Sequence, residues 1–442
     1  MNVSTTRGLF AAALIAATAT CANASGAVTC AIEPERSILA ADTPESMVVK
    51  VSLNGITVDA TQRAAVNLAI VIDRSGSMSG QKIERAKEAA IAAVERLSER
   101  DVVSVIVFDN AVQTIVPARR VTDKAAIANT IRRIQSGGST AIFAGVSQAA
   151  SEIRKFNDTG RVNRILLLSD GQANVGPASP DELGRLGTSL MKEGVSVSTI
   201  GLGLDYNEDL MTRLSLKSDG QTYFVENSDD LPRIFAAELG DVLAVAAKDV
   251  KLRVTFKNGA TPIELIGRDG RIEKGVVTVD FNQLYGNHQK FVLIRTEFAP
   301  GEERETREFA EATVEYRTPD AASSSSAIKV ITSSRVTFNK DQTKVEKSVN
   351  VSVIKDTIYN ENAVDLEKAI KKNDSRDFLG AKNIAVDNAM RARAAAVRYN
   401  LPELEEEAAK QEALAPSFIA PLAPAARKAA TTDSQQQIMF QR

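Results

Sequence analysis

The 442-residue chain is 44% hydrophobic and 25% charged, ordinary globular proportions, and its length suggests two or three domains with separate cores. A formal net charge of −2, with no local basic patch, excludes an electrostatic draw toward nucleic acid or acidic membranes. With one histidine, His288 in the turn-like Gly286-Asn287-His288-Gln289, and two cysteines, Cys21 and Cys30, the usual zinc and acid–base sets are mostly missing. Carboxylates working alone remain the catalytic option.

Taken in chain order, the first 24 residues read as a secretory signal. Arg7 precedes an apolar run from Leu9 to Ala17, and Ala22-Asn23-Ala24 offers a small-x-small cleavage site. The run is too short for a permanent membrane span, and no second span follows. Cleavage after Ala24 leaves Cys30 and no intrachain disulfide framework. Cys21 raises a lipoprotein alternative, but Thr18-Ala19-Thr20 lacks the expected preceding residues. The expectation is export, periplasmic or secreted.

Residues 25–61 hold two strand-like segments, the clearer being Met47–Leu53. From Val66 the texture changes. Val66–Ile72 is a short, nearly continuous apolar run of the kind buried parallel strands show. A helix over Gly80–Glu99 places Ile83, Ala86, Ala90, Val94 and Leu97 on one face. Strand Val102–Phe108, helices near Lys124–Gln135 and Ala141–Phe156, and strand Arg164–Leu168 follow. A helix near Asp181–Lys192, strands Val195–Ile200 and Gln221–Val225, and a helix over Asp229–Ala247 complete the block. Strands alternating with helices imply a mostly parallel, doubly wound sheet over residues 62–246.

Residues 247–354 turn all-β, with strands at Val250–Phe256, Val276–Phe281, Phe291–Phe298, Ala310–Tyr316, Val330–Phe338 and Val349–Val353. Ser323–Ser326 reads as a polar loop. The early strands are candidates to join this β-sandwich, which would make the α/β block an insertion with its ends together. Residues 355–413 read as helical, with Ala363, Leu366 and Ile370 on one face and Leu379, Val386, Met390 and Val397 on another, forming an appendage on the β-domain. Residues 414–442, rich in Ala, Pro, Gln and Thr, are expected to be disordered.

Three loops at strand ends carry oxygen-bearing side chains: Asp73-Arg74-Ser75-Gly76-Ser77, Gly137-Gly138-Ser139-Thr140 and Ser169-Asp170-Gly171. Ligands of doubly wound sheets bind at the carboxyl ends of strands. A set of Asp, Ser, Ser, Thr and Asp offers only hard ligands, which suits Mg²⁺. Gly76, Gly137 and Gly138 let the backbone turn tightly there.

This pattern resembles the von Willebrand factor type A (VWA) domain and its metal-ion-dependent adhesion site. Asp73-x-Ser75-x-Ser77, then Thr140, then Asp170-Gly171 carry the resemblance, with support from the apolar strand before Asp73, Gly145-Val146 and Ser169–Asn174. It covers residues 62–246, and the whole chain resembles exported bacterial proteins with this domain. The resemblance implies a six-stranded sheet with one antiparallel edge and bound Mg²⁺, with Mn²⁺ or Ca²⁺ as alternatives. Ser75 and Ser77 would coordinate the ion directly, and Asp73, Thr140 and Asp170 directly or through water. It also implies adhesion or assembly through an acidic side chain of a protein partner. The helix around Leu231–Leu243 resembles the element that slides in integrin-type members.

The bland reading is that Asp73, Ser75, Ser139 and Thr140 merely cap the following helices. Asp109 reads as a loop residue, Cys30 as a small residue rather than a nucleophile, and Glu403–Glu407 as a solvated helix face. Gly201-Leu202-Gly203 lacks the third glycine of a nucleotide loop. Competing functions are a metal-dependent hydrolase and a structural envelope protein with a purely stabilising ion. The hydrolase reading lacks a phosphate-cradling loop, a His base and a Gly-x-Ser-x-Gly elbow.

Overall fold

A computed structural model of the chain describes residues 26–56, 63–157, 160–173, 175–320 and 326–440. The expected signal over residues 1–24 with Cys21, Asn174, and Ser323–Ser325 of the polar loop lie outside the described residues.

The chain opens with β1 (Val28–Pro34), β2 (Ile38–Ala40) and β3 (Glu45–Gly55). The α/β block then runs β4 (Val66–Asp73), α1 (Gln81–Arg96), β5 (Val102–Phe108), β6 (Val112–Arg120), α2 (Lys124–Arg132), α3 (Ile142–Arg154) and β7 (Val162–Ser169). It continues with α4 (Pro180–Lys192), β8 (Val195–Leu202), α5 (Glu208–Lys217), β9 (Thr222–Val225) and α6 (Leu231–Leu243). Its six strands lie in the order β6-β5-β4-β7-β8-β9, and only the β5–β6 pair is antiparallel. Sequence pattern did not reveal β6 or α5. β6 is half exposed and contains Pro117, features an edge strand tolerates and a buried one does not.

All eight residues of β4 are buried, because the strand is covered on both faces. Val66, Leu68, Ile70 and Ile72 point into the core under α1, α2 and α6. Ala69 and Val71 point into the core under α3, α4 and α5. β4 also has β5 on one side and β7 on the other, so the strand order reverses there. That is where an open α/β sheet leaves a crevice.

The sandwich is completed by β10 (Val245–Phe256), β11 (Ala260–Ile266), β12 (Arg271–Glu273), β13 (Val276–Tyr285), β14 (Gln289–Phe298), β15 (Thr306–Arg317) and β16 (Ile328–Asn339). Its sheets are β1-β3-β14-β11 and β12-β13-β10-β15-β16-β2, so the N-terminal strands do join it and the α/β block is an insertion. Cys30 is buried in its core. The two crossings to the inserted domain meet at one turn. Gly286 N donates to Ala244 O at 2.7 Å, while Gly55 N donates to His288 O at 3.0 Å and Asn287 N to Gly55 O at 2.9 Å. A Cβ on Gly55 would stand 2.1 Å from Tyr285 O, so no other residue fits this approach.

Buried charge welds the junction. Arg164, near the start of β7, donates to Gln283 Oε1 at 2.7 Å, Tyr285 Oη at 2.5 Å and Ser198 Oγ at 3.1 Å, and lies 3.5 Å from Glu238 of α6. Glu238 also accepts from Ser198 Oγ at 2.5 Å and Tyr223 Oη at 2.9 Å. Beside them, Asp219 accepts from Lys290 Nζ at 2.9 Å and Asn282 N at 2.8 Å. Burial pushes the Asp219 carboxyl up, but Lys290 and Arg268 outweigh it and hold the group below the usual carboxylate range.

The C-terminal part departs from expectation in three places. Val349–Val353 is not a strand. Following α7 (Gln342–Lys347), Asn350 caps α8 (Val351–Asp374) by accepting from Ser352 N at 3.1 Å. α9 (Phe378–Tyr399) turns its alanines inward: Ala381, Ala385, Ala389 and Ala392 are buried, while Leu379, Met390 and Val397 are 70, 65 and 79% exposed. Small side chains let α9 approach α8 and α10 (Pro402–Leu414) closely, and that outweighs burial of the larger stripe. Lastly, residues 414–442 were expected to be disordered, but they include α11 (Pro424–Phe440), which packs on α8, α5 and β9. Its polar residues misled the composition argument because they meet polar protein surface. Lys428 is buried and donates to Tyr206 O at 2.7 Å, and Gln436 donates to Thr222 O at 3.0 Å. The appendage itself rests on the sandwich, with Val353 packed among Val48, Ile266, Phe291 and Leu293.

Candidate metal centre

Asp73 ends β4 and Asp170 follows β7, the neighbouring strand, so the crevice at the switch in strand order brings two carboxylates together. Both are fully buried. Asp73 Oδ1 accepts from Ser75 N at 2.8 Å and Oδ2 from Ser169 Oγ at 2.5 Å. Ser77 Oγ donates to Asp170 Oδ1 at 2.7 Å and lies 3.1 Å from Ser75 Oγ.

Thr140 arrives from the third loop, which is stitched to the first. Gly137 N donates to Arg74 O at 2.7 Å, and Gly76 N to Gly138 O at 3.0 Å. Of the three glycines noted in the sequence, only Gly138 has a left-handed backbone (φ 87°), and a Cβ there would press on Asp109. The Thr140 hydroxyl and Asp73 Oδ2 flank one point: a Cβ on Gly171 would stand 2.7 Å from the former and 3.5 Å from the latter. Gly171 thus keeps open a space that any side chain would fill. Ser75, Ser77, Thr140 and Asp170 line one open depression of about 350 Å³, with Gln172 and Asp205 on its rim. All five predicted side chains therefore converge.

The capping explanation does not account for the hydroxyls. The position before α1 is Gly80 and the one before α3 is Ala141, and neither makes a side-chain cap. Ser75 precedes the short 3₁₀ turn Gly76–Met78 without capping it. Asp109 is a loop residue, accepting from Ala111 N at 2.9 Å and pairing with Arg74 at 2.9 Å.

Electrostatically the centre is short of positive charge. Burial pushes the Asp73 carboxyl up to about 6, the repulsion of Asp170 adds to that, and the bonds from Ser169 and Ser75 oppose it. One cation reaches the centre among the described contacts: Lys82 Nζ donates to Asp170 Oδ2 at 2.5 Å. Neither Lys82 nor the support from Ser169 was foreseen, and Asp205 was missed as well. A lysine in the first turn of a helix, against the helix dipole, was the available signal for Lys82. Among the described residues no three His, Cys, Asp or Glu side chains cluster as a metal site. The donor set here is two carboxylates and three hydroxyls, which fits a small hard cation and does not fit a soft one.

Comparison with known proteins agrees with the geometry. The family model of the von Willebrand factor type A domain matches residues 67–237. An uncharacterized protein of Synechocystis is 34% identical over 177 residues, 40% of this chain and 41% of that protein. Human inter-alpha-trypsin inhibitor heavy chain H4 is 29% identical over 211 residues, 45% of this chain and 22% of that one. The chain thus matches less than half the length of these relatives. Among solved structures, the von Willebrand factor type A protein from Catenulispora acidiphila superposes with a TM-score of 0.69 at 17% identity, over 88% of this chain and 91% of that one. That likeness extends the shared fold beyond the inserted sheet to the sandwich and helices. Residues 67–237, less than half of the chain, are a von Willebrand factor type A domain.

Proposed function

We propose that this chain is an exported, non-enzymatic binding protein whose VWA domain seats Mg²⁺ among Asp73, Ser75, Ser77, Thr140 and Asp170. The ion would present an open coordination position to a carboxylate of a protein partner. The observation that carries this reading is that Ser75, Ser77, Thr140 and Asp170 from three loops line one open depression, with Asp73 Oδ2 beside the Thr140 hydroxyl and with Gly80 and Ala141 at the cap positions of α1 and α3. Ser77 is exposed, so the ion's outer side would face solvent. The all-oxygen donor set suits Mg²⁺, with Mn²⁺ or Ca²⁺ as alternatives. Export rests on the signal-like N-terminus, and among the described residues no helix is long and apolar enough to cross a membrane.

A hydrolase reading finds no support in the placement of His288. It sits in the junction turn at the amino end of the parallel sheet, away from the depression at the carboxyl end. The test is direct. Mn²⁺ titrated into the protein should saturate at one ion per chain, and Ser75→Ala/Ser77→Ala should abolish uptake. Envelope proteins retained in Mg²⁺ should be released by chelator and not be retained by that variant. Retention that survives chelation would overturn the proposal. An ion that raises the melting temperature without altering retention would favour the purely stabilising role.

A further inference from the structure

We infer that Lys82 sets how tightly the centre takes up its cation, by holding one oxygen of Asp170 as a built-in competing charge. This rests on the cation reading proposed above. Lys82 is the second residue of α1. An ammonium there sits at the positive end of the helix dipole, where cations are disfavoured, so its position needs a specific counter-charge. Asp170 supplies it.

The carboxylate is divided: Oδ2 accepts from Lys82 Nζ at 2.5 Å and Oδ1 from Ser77 Oγ at 2.7 Å. Asp170 is fully buried, and the lysine side chain is 31% exposed, so their attraction is only partly screened. The loop after β8 passes alongside. Gly203 has φ 75°, and a Cβ on it would stand 3.5 Å from Lys82 Nζ. The loop thus brings backbone, not a side chain, against the ammonium. Asp205 also lines the depression.

One of the two buried carboxylate charges is therefore already balanced from within the chain. A divalent ion seated among the hydroxyls must share Asp170 with a fixed ammonium and meet its repulsion. Lys82 thereby weakens uptake and makes loading reversible, while it keeps Asp170 satisfied when cation is scarce.

Lys82→Gln removes the charge and keeps a donor beside Asp170, whereas Lys82→Arg keeps the charge. Mn²⁺ and Mg²⁺ are titrated calorimetrically into the wild-type chain, both variants and Ser75→Ala/Ser77→Ala. Lys82→Gln should bind about tenfold more tightly than wild type, and Lys82→Arg should match wild type. Without cation, Lys82→Gln should melt below wild type, and with cation the gap should close. Binding by Lys82→Gln that is equal or weaker overturns the role of Lys82. If the serine double variant still abolishes uptake, the cation site survives that result. Lys82→Arg binding as tightly as Lys82→Gln would also overturn the role, since charge would then not matter. Failure of both wild type and Lys82→Gln to take up either ion overturns the cation site and the role of Lys82 together.

Discussion

The two ends of the inserted sheet treat buried carboxylates in opposite ways. At the amino end Glu238 meets Arg164, and Asp219 meets Lys290 and Arg268, so the chain supplies the positive charge itself. At the carboxyl end Asp73 is bonded by the Ser169 hydroxyl and the Ser75 N–H, and the ammonium of Lys82 pairs with Asp170. The first arrangement fastens two domains together. The second leaves a deficit that a cation can fill. The same residue types act as a weld or as a cradle according to where the compensating charge comes from.

The sharpest way to break this contrast is substitution at both ends. Arg164→Met strands Glu238 without its buried cation and should cost about 3–5 kcal/mol in denaturant unfolding. Mn²⁺ uptake by the surviving folded protein should be unchanged, and a small stability cost would show that the amino end is not held by charge.

Asp73→Asn should act with the opposite sign. The folded pKa of Asp73 lies above its ordinary value of 3.8, at about 6, so the ionised group costs stability in the absence of cation. That cost is absent below the unfolded value, grows as pH rises through about 6 and is complete above it. Without cation at pH 8, Asp73→Asn should therefore gain roughly 1–3 kcal/mol while losing ion uptake. A loss of stability there would contradict the charge deficit.

The same carboxyl sharpens the comparison through pH. Moving from pH 7.5 to 5 protonates Asp73, so the rise in melting temperature produced by Mg²⁺ should shrink over that interval. Asp219, held below the usual range, contributes stability that is present above its unfolded value and lost only as pH falls through its lower folded value. The junction should therefore hold at pH 5, as read by unfolding without cation. The smallest effect is expected of Gly171→Ala. Its methyl would press on the Thr140 hydroxyl, lowering Mn²⁺ affinity with less than about 1 kcal/mol change in unfolding.

Much of this was legible beforehand because strand ends are marked by chemistry. An apolar run that stops at Asp73, and another that stops before Asp170, announce both the buried strands and the residues they present. Lys82 was less visible, since a lysine in the first turn of a helix signals the need for a counter-charge but not which carboxylate supplies it. Its meaning appears only when β7 brings Asp170 beside it. The junction was invisible for a related reason: Arg164, Asp219 and Lys290 lie far apart in sequence, and each reads as surface charge. α9 was read inside out because pattern favours the larger apolar stripe, whereas helix packing there favoured alanine. In α11 composition failed, since Thr431, Thr432, Ser434 and Gln435 are buried against a polar neighbour.

The turn at Gly286–His288, where both crossings of the inserted domain meet, has a mechanical consequence. Tension arriving in that domain meets Gly55 on its entry side and Ala244 on its exit side, both hydrogen-bonded to the same turn. The load is divided before it reaches the sandwich, and neither crossing is stretched alone. A tandem domain joined by one linker would carry the whole pull through a single strand.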